Sequence, residues 1–272
     1  VNGYRHAFTS AYREHFTASS AVYDIQRIEA LDADNPVTMS FYRMLEQSPD
    51  KLRFKLFNAG EPLILSDVIP VLENLGMQVV GEHPYKVRRD DGMGFWIHDF
   101  SLVYHNGEAV EMEAAKQVFQ DAFANIWSGR AENDEFNHLV IGANLSWREV
   151  AMLRAYSRYC KQIRFGFSQP YIAGTLTRHI QVTKLLVALF RARFEPNRQG
   201  SDKVAALAER IESSIVDALE KVDNLNEDQI LRRFLELIKA TLRTSYFQRD
   251  ESGELKDYFS FKLTPRAIAG IP

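Results

Sequence analysis

Residues 51–105 decide the fold: KLRFKLFNAG (51–60), EPLILSDVIPVLENLG (61–76), MQVVGEHPYKVRRD (77–90) and DGMGFWIHDFSLVYH (91–105). Leu52, Phe54 and Leu56 alternate with Arg53, Lys55 and Phe57, the period-two pattern of a half-buried strand. The next stretch changes period. Leu65, Val68, Ile69, Leu72 and Leu75 recur at three- and four-residue steps, one face of a helix, and Gly76 suits the left-handed residue that closes it. Met77 and Val79 begin a second strand, and Phe95, Ile97, Phe100, Leu102 and Tyr104 form a third. The phase of that third strand changes around His98-Asp99, which predicts a bulge there. Asp90-Asp91-Gly92 is a hairpin turn between the two.

Working outward, Glu111 to Trp127 reads as a second helix through Met112, Ala115, Val118, Phe119, Ala122 and Ile126. Val37 to Leu45 supplies a further strand, turning through Ser48-Pro49-Asp50 into Leu52. The order β-β-α-β-β-α predicts an α+β fold: a ferredoxin-like antiparallel sheet with helices on one face. Upstream, Tyr4, Phe8, Tyr12 and Phe16 form an aromatic helical stripe over 4–16. A helix over Ser20 to Leu31 follows, with Ser19 or Ser20 as its cap.

Downstream of Trp127 the polar run Ser128 to Asp134 is the candidate boundary, and nearly everything beyond it has helical period. Ser146-Trp147-Arg148-Glu149 fits a capping box opening a helix that breaks at Gly166. Ser168 and Pro170 open another, expected to run to Pro196. Residues 201–222 and 226–247 read as a helical hairpin, with Asn226 as the second cap. Tyr258 to Leu263 is strand-like with no evident partner. The expected organisation is 1–130 as an α+β domain with N-terminal helices, 131–250 as a helical domain, and 251–272 as the start of something further.

The chain has 272 residues, 46% hydrophobic and 25% charged, as ordinary globular proteins do. A net charge of −3 gives no case for nucleic acid, and no apolar run is long enough to span a membrane. One cysteine, Cys160, permits no internal disulfide and agrees with a reducing, cytoplasmic setting. The start at Val1 and the stop after a partnerless strand favour a piece of a larger polypeptide.

Catalytic signatures are missing from the sequence. Gly92-Met93-Gly94 lies in a hairpin turn with no helix after it, so it is no dinucleotide loop. His98-Asp99 has no second histidine cluster to complete a metal site. His179 reads as a packed or solvated residue, and Cys160 as a small buried one rather than an activated thiol. Arg148, Arg154, Arg158, Lys161 and Arg164 read as a solvated face or a contact for an acidic partner, and Trp147, Arg154, Tyr156, Tyr159 and Gln162 as interface anchors. One loop supports a ligand hypothesis. Asn58, Gly60, Ser66 and Asp67 lie where a strand passes into a helix N-terminus, whose free donors suit a carboxylate while Asp67 suits an ammonium group. The plainer reading is that Ser66 or Asp67 only caps the helix.

Three separated motifs carry a family resemblance. FKLFNAGEPLILSDVIPVLENLGMQVVGEHPY (Phe54–Tyr85) resembles the ACT-like segment of the large bacterial NAD-dependent glutamate dehydrogenases. LSWREVAMLRAYSRYCKQIRFGFSQPYI (Leu145–Ile172) and LVALFRARFEP (Leu186–Pro196) are similar to their following helical region, and YFSFKLTPRAIAGIP (Tyr258–Pro272) to the entrance of their dehydrogenase domain. The resemblance implies a parent enzyme that deaminates glutamate to 2-oxoglutarate with NAD. It also implies that this portion is regulatory and connecting, without the catalytic lysine or the nucleotide domain, so that Lys262 takes no catalytic role. The implied partners are the catalytic domain of the same polypeptide, further copies of the chain in a homo-oligomer, and an amino-acid effector; neither nucleic acid nor membrane is expected.

Overall fold

A computed structural model describes residues 3–44, 48, 50–105, 107, 109–196 and 202–269, the Asp202 side chain excepted. Leu45, at the end of the first expected strand, and Pro49, in the turn after it, lie outside the described residues. The chain divides into two compact units, Val1–Gly129 and Arg130–Pro272.

The first unit is built on four antiparallel strands: β1 (Val37–Tyr42), β2 (Lys51–Ala59), β3 (Met77–Arg88) and β4 (Gly94–Tyr104), in the spatial order β1-β2-β4-β3. Helices here are α1 (Ser10–His15), α2 (Ala18–Glu29), α3 (Leu65–Asn74) and α4 (Met112–Trp127), so β1 to α4 follow the expected β-β-α-β-β-α order. One sheet face carries Phe41 and Phe54 against Phe119 and Phe123 of α4, with ring centroids 4.2–5.2 Å apart. Gly76, at φ +86°, takes the left-handed conformation that ends α3 and starts β3.

The other face is covered too. Tyr12 and Phe16 pack edge-on against Tyr85 at 5.5 and 5.6 Å, within a cluster that includes Ile25, Ile28, Phe57, Val87, Phe95 and Ile97. This corrects the half-buried reading of β2, which buries Leu52 and then every residue from Phe54 to Asn58. A strand covered on both faces loses its alternation. The same fact explains the phase change at His98-Asp99: β4 pairs regularly through it, and the register shift lies on β3 between Val79 and Gly81.

The N-terminal stripe is helical only over α1, capped by Thr9. Residues before it run along the β3 edge, with Phe8 bridging Val87 and the Arg88 N–H donating to the Ala7 carbonyl at 3.1 Å. Thr17, rather than Ser19 or Ser20, caps α2, accepting from the Ser20 N–H at 3.2 Å. At the opposite edge the Phe41 N–H donates to the Gln120 carboxamide at 2.8 Å, so one donor of β1 is satisfied by α4.

The second unit comprises α5 (His138–Gly142), α6 (Trp147–Gln162), α7 (Gln169–Arg178), α8 (Ile180–Phe194), α9 (Asp202–Leu219) and α10 (Leu225–Ala240), with β5 (Thr241–Thr244) and β6 (Phe261–Leu263). The capping box opens α6 as expected, Ser146 and Glu149 exchanging bonds with each other's backbone. The single helix expected from Ser168 to Pro196 is broken at His179, whose backbone leaves the helical region. There Thr183 Oγ1 donates to the Leu176 carbonyl at 2.8 Å, and His179 Nε2 meets Glu227 at 2.6 Å. Asn224, not Asn226, caps α10, taking the N–H groups of Asn226 and Glu227 at 3.0 and 3.2 Å.

Helix α10 also stops short of 247, because 241–244 turn into a strand that pairs with 261–263. That pairing supplies the partner that Tyr258 to Leu263 lacked. The basic run read as a solvated face divides: Arg158, Lys161 and Arg164 are exposed, whereas Arg148 and Arg154 are buried. Arg148 is buried and donates to the carbonyls of Tyr246 and Lys256, both at 2.8 Å. Arg154 is buried against Asp134 and Asn137, and Arg158 pairs with Glu132. Tyr156 turns inward to Thr241 at 2.8 Å. Buried guanidinium groups need acceptors, and backbone and acidic groups of the same unit supply most of them, while Arg148 Nε is left buried without one.

Candidate functional site

The loop after β2 places Asn58 and Gly60 together and leaves Ser66 and Asp67 at the surface of the first turn of α3. Asn58 is buried, and its Nδ2 donates to the carbonyls of Glu61 at 2.6 Å and Ala59 at 3.2 Å. Its Oδ1 is buried without a hydrogen-bond partner. Gly60, at φ +82°, lets the chain turn back so that its N–H reaches the Gly94 carbonyl, while the Trp96 indole donates to its own carbonyl at 3.1 Å. The Leu63 N–H donates to His98 Nε2 at 3.1 Å. Because a backbone N–H can only donate, His98 must carry its proton on Nδ1, which points at Glu82 Oε1, 2.8 Å away. His98, read in the sequence as an ordinary strand residue rather than a metal ligand, thus fixes this loop. Among the described residues no group of three or more His, Cys, Asp or Glu is arranged to hold a metal ion.

Neither Ser66 nor Asp67 caps α3. Ile64 stands at the cap position with no side-chain bond; the Asp67 N–H turns back to the Ile64 carbonyl at 3.0 Å, and no side chain caps the Leu65 and Ser66 N–H groups ahead of it. Asp67 lies in that turn, where a carboxylate complements the helix dipole. The loop thus offers donors beside an exposed carboxylate, on a backbone pinned by Asn58, Trp96 and His98.

A second polar centre, on the face covered by α1 and α2, was missed by sequence reasoning. Lys55 is 3% exposed and donates from Nζ to Asp24 Oδ2 at 2.6 Å. Tyr12 donates to the same oxygen at 2.6 Å. The ammonium group also sits 3.7 Å from the Phe16 ring centroid, and 5.6 Å from those of Tyr12 and Tyr42. Next to it across the strands, Asp99 is fully buried, paired with Arg53 and accepting from Tyr42 at 3.3 Å. Burial pushes the Asp24 carboxyl above its usual range, with Lys55 working against it. Burial and the neighbouring carboxylates also push the phenols of Tyr12 and Tyr42 up. The signal was present: Lys55 shares its phase with Phe57, and the aromatic stripe of residues 4–16 required a face to cover.

In the second unit, burial pushes the Cys160 thiol up to about 12, which agrees with its reading as an inert core residue. His179 and Arg178 hold Glu227 below the usual carboxylate range, the hydrogen bond from His179 contributing most.

Comparison with known proteins gives a consistent series along the chain. Residues 1–31 match the family model described as glutamate dehydrogenase helical motif 2, and residues 36–115 the glutamate dehydrogenase ACT3 domain. Residues 131–196 match helical motif 3, and residues 214–272 the catalytic domain of bacterial NAD-glutamate dehydrogenase. The chain is 52% identical over 273 residues to an NAD-specific glutamate dehydrogenase of Halomonas elongata, covering 100% of this chain and 17% of that protein. It is 48% identical over 266 residues to the Pseudomonas aeruginosa protein of the same description, covering 97% of this chain and 16% of that protein. The Mycobacterium tuberculosis relative is 36% identical over 277 residues, covering 99% of this chain and 17% of its own length.

Proposed function

Given that this chain belongs to the family of NAD-specific glutamate dehydrogenases, of whose length it spans about one-sixth, we propose that it is their regulatory and oligomerising portion. The parent reaction in this proposal is oxidative deamination of L-glutamate to 2-oxoglutarate with NAD, carried out elsewhere in the polypeptide. The observation that carries the reading is the order of the matches: helical motif, ACT3 domain and second helical motif, all ahead of the segment that matches the catalytic domain. Gly92 lies in the turn from β3 to β4 and Gly94 opens β4, so this glycine pair does not lead from a strand into a helix and forms no phosphate cradle for NAD. The buried charges of the first unit are neutralised in place by Asp24–Lys55 and Asp99–Arg53, as in a scaffold. The test is to incubate the 272-residue chain with glutamate and NAD, and to sediment it at micromolar concentration. Self-association without NADH formation is the expected result; turnover, or a strict monomer, overturns the proposal.

A second reading makes the Gly60–Asp67 loop an amino-acid sensor. It is favoured by the partnerless Asn58 Oδ1 and the uncapped start of α3. A thermal-shift series with the common amino acids at millimolar concentration tests it, since a ligand of the folded state must raise the midpoint. A midpoint unmoved by all of them removes this reading.

A further inference from the structure

Beside the Lys55–Asp24 pair lies a cavity of about 600 Å³, within the size range of small-molecule sites. It is bounded by the α1–α2 junction, by β1, by Lys55 and by Lys116 of α4. Its charge is unbalanced. Asp24 is already matched by Lys55 and by the Tyr12 hydroxyl, whereas Lys116 has no ion-pair partner among the described residues. The Lys55 ammonium has three N–H groups and a single oxygen acceptor, Asp24; its other neighbours are ring faces. Thr17 and Ser20, at the start of α2, also line the cavity, and the first turn of that helix carries no acidic residue. Its positive end is therefore not offset by its own sequence. The remaining wall is largely aromatic or apolar, from Phe16, Tyr23, Tyr42 and Met44, with His15 and Ser40 as its polar members.

We propose that this cavity binds a small organic carboxylate, its anionic head at Lys116, Lys55 and the start of α2 and its apolar body against Phe16, Tyr42 and Met44. A positive rim over a buried, hydrogen-bond-deficient ammonium favours one negative charge. The aromatic and thioether wall favours an apolar body over a bare inorganic ion. The site lies under α1 and α2 and reaches Lys116 of α4 at the β1 edge, and is separate from the Gly60–Asp67 loop. It depends on neither reading offered for the parent enzyme.

The probe is 4-fluorophenylacetate, followed by ¹⁹F NMR on the 272-residue chain, with 4-fluorophenylacetamide as the neutral counterpart of the same shape. The carboxylate should broaden and shift saturably, and the amide should not. Lys116→Gln, at a partly exposed position outside the core, should weaken binding by about fivefold, the upper reach of a semi-exposed ion pair. Ser20→Trp, which fills the mouth, should abolish it while leaving the circular dichroism unchanged. Equal binding of acid and amide, no saturable binding, or an undiminished affinity in Lys116→Gln each overturns the proposal. The Lys116 variant decides the matter should Ser20→Trp fail to fold.

Discussion

Replacing Lys55 by methionine keeps the length of the side chain and removes its charge, leaving Asp24 in a site where it is 2% exposed. The carboxylate would retain the Tyr12 hydroxyl and lose its only cationic partner among the described residues. Breaking a buried pair from one side typically costs about 3–5 kcal/mol, because the surviving charge stays desolvated. With a urea m-value of about 2 kcal/mol/M, the unfolding midpoint of the first unit should fall by ~2 M. The double variant Asp24→Asn/Lys55→Met removes both charges and keeps an acceptor for Tyr12, so it should regain more than half of the loss. The single variant also acquires a pH signature. Burial holds the folded-state pKa of Asp24 above its unfolded value, so between the two values the native state binds more protons than the unfolded chain. Stability therefore increases as pH falls through the raised pKa, and without Lys55 to oppose burial the increase should be larger. Urea titrations at pH 8 and pH 5, read by far-ultraviolet circular dichroism, measure both effects. A midpoint change under ~0.5 M in the single variant, or a double variant no better than the single, refutes the account of this pair as a buried, mutually dependent couple.

Three further outcomes follow from the second unit. Cys160, buried and with its thiol pushed up to about 12, should stay silent to Ellman's reagent at pH 8 and react only on unfolding; prompt labelling of the native chain contradicts this. Ser146→Ala removes one half of the α6 capping box and should cost about 1 kcal/mol in chemical denaturation. Glu227→Gln should loosen the α7–α8 break, detectable as faster amide exchange around His179. Because Glu227 titrates below its ordinary range in the folded state, the wild-type contribution is present above that range and is lost as pH falls through the depressed value. The exchange difference between wild type and variant should therefore shrink in acid.

The period switches of residues 51–105 were legible because each element there has its own repeat and a clear stop, such as Gly76 or the Asp90–Gly92 turn. The covering of the second sheet face was not. Arg53 and Lys55 read as solvent-facing by type, and only the distant Asp24 and Asp99 make their burial tolerable. Long-range partners of this kind leave no local pattern. The same holds for His179, where Glu227 lies 48 residues away and makes a helix break possible without glycine or proline. Arg148 read as surface for the corresponding reason, its acceptors being backbone carbonyls some 100 residues downstream. In the candidate loop, sequence identified the position of Asn58 and Gly60 but not their fixation, since Trp96 and His98 reach them from a neighbouring strand.

The module boundaries found by family matching cut across the unit that folds. Residues 36–115 taken alone would omit α1 and α2 and nearly all of α4, baring Phe57, Tyr85, Val87, Phe95 and Ile97 on one side and Phe41 and Phe54 on the other. Such a greasy slab would stick to itself, whatever its native tendency to assemble. Excising this module for study therefore calls for scissors at the boundary near Gly129 rather than at the edges of sequence similarity, with the residues of the preceding helical motif kept attached.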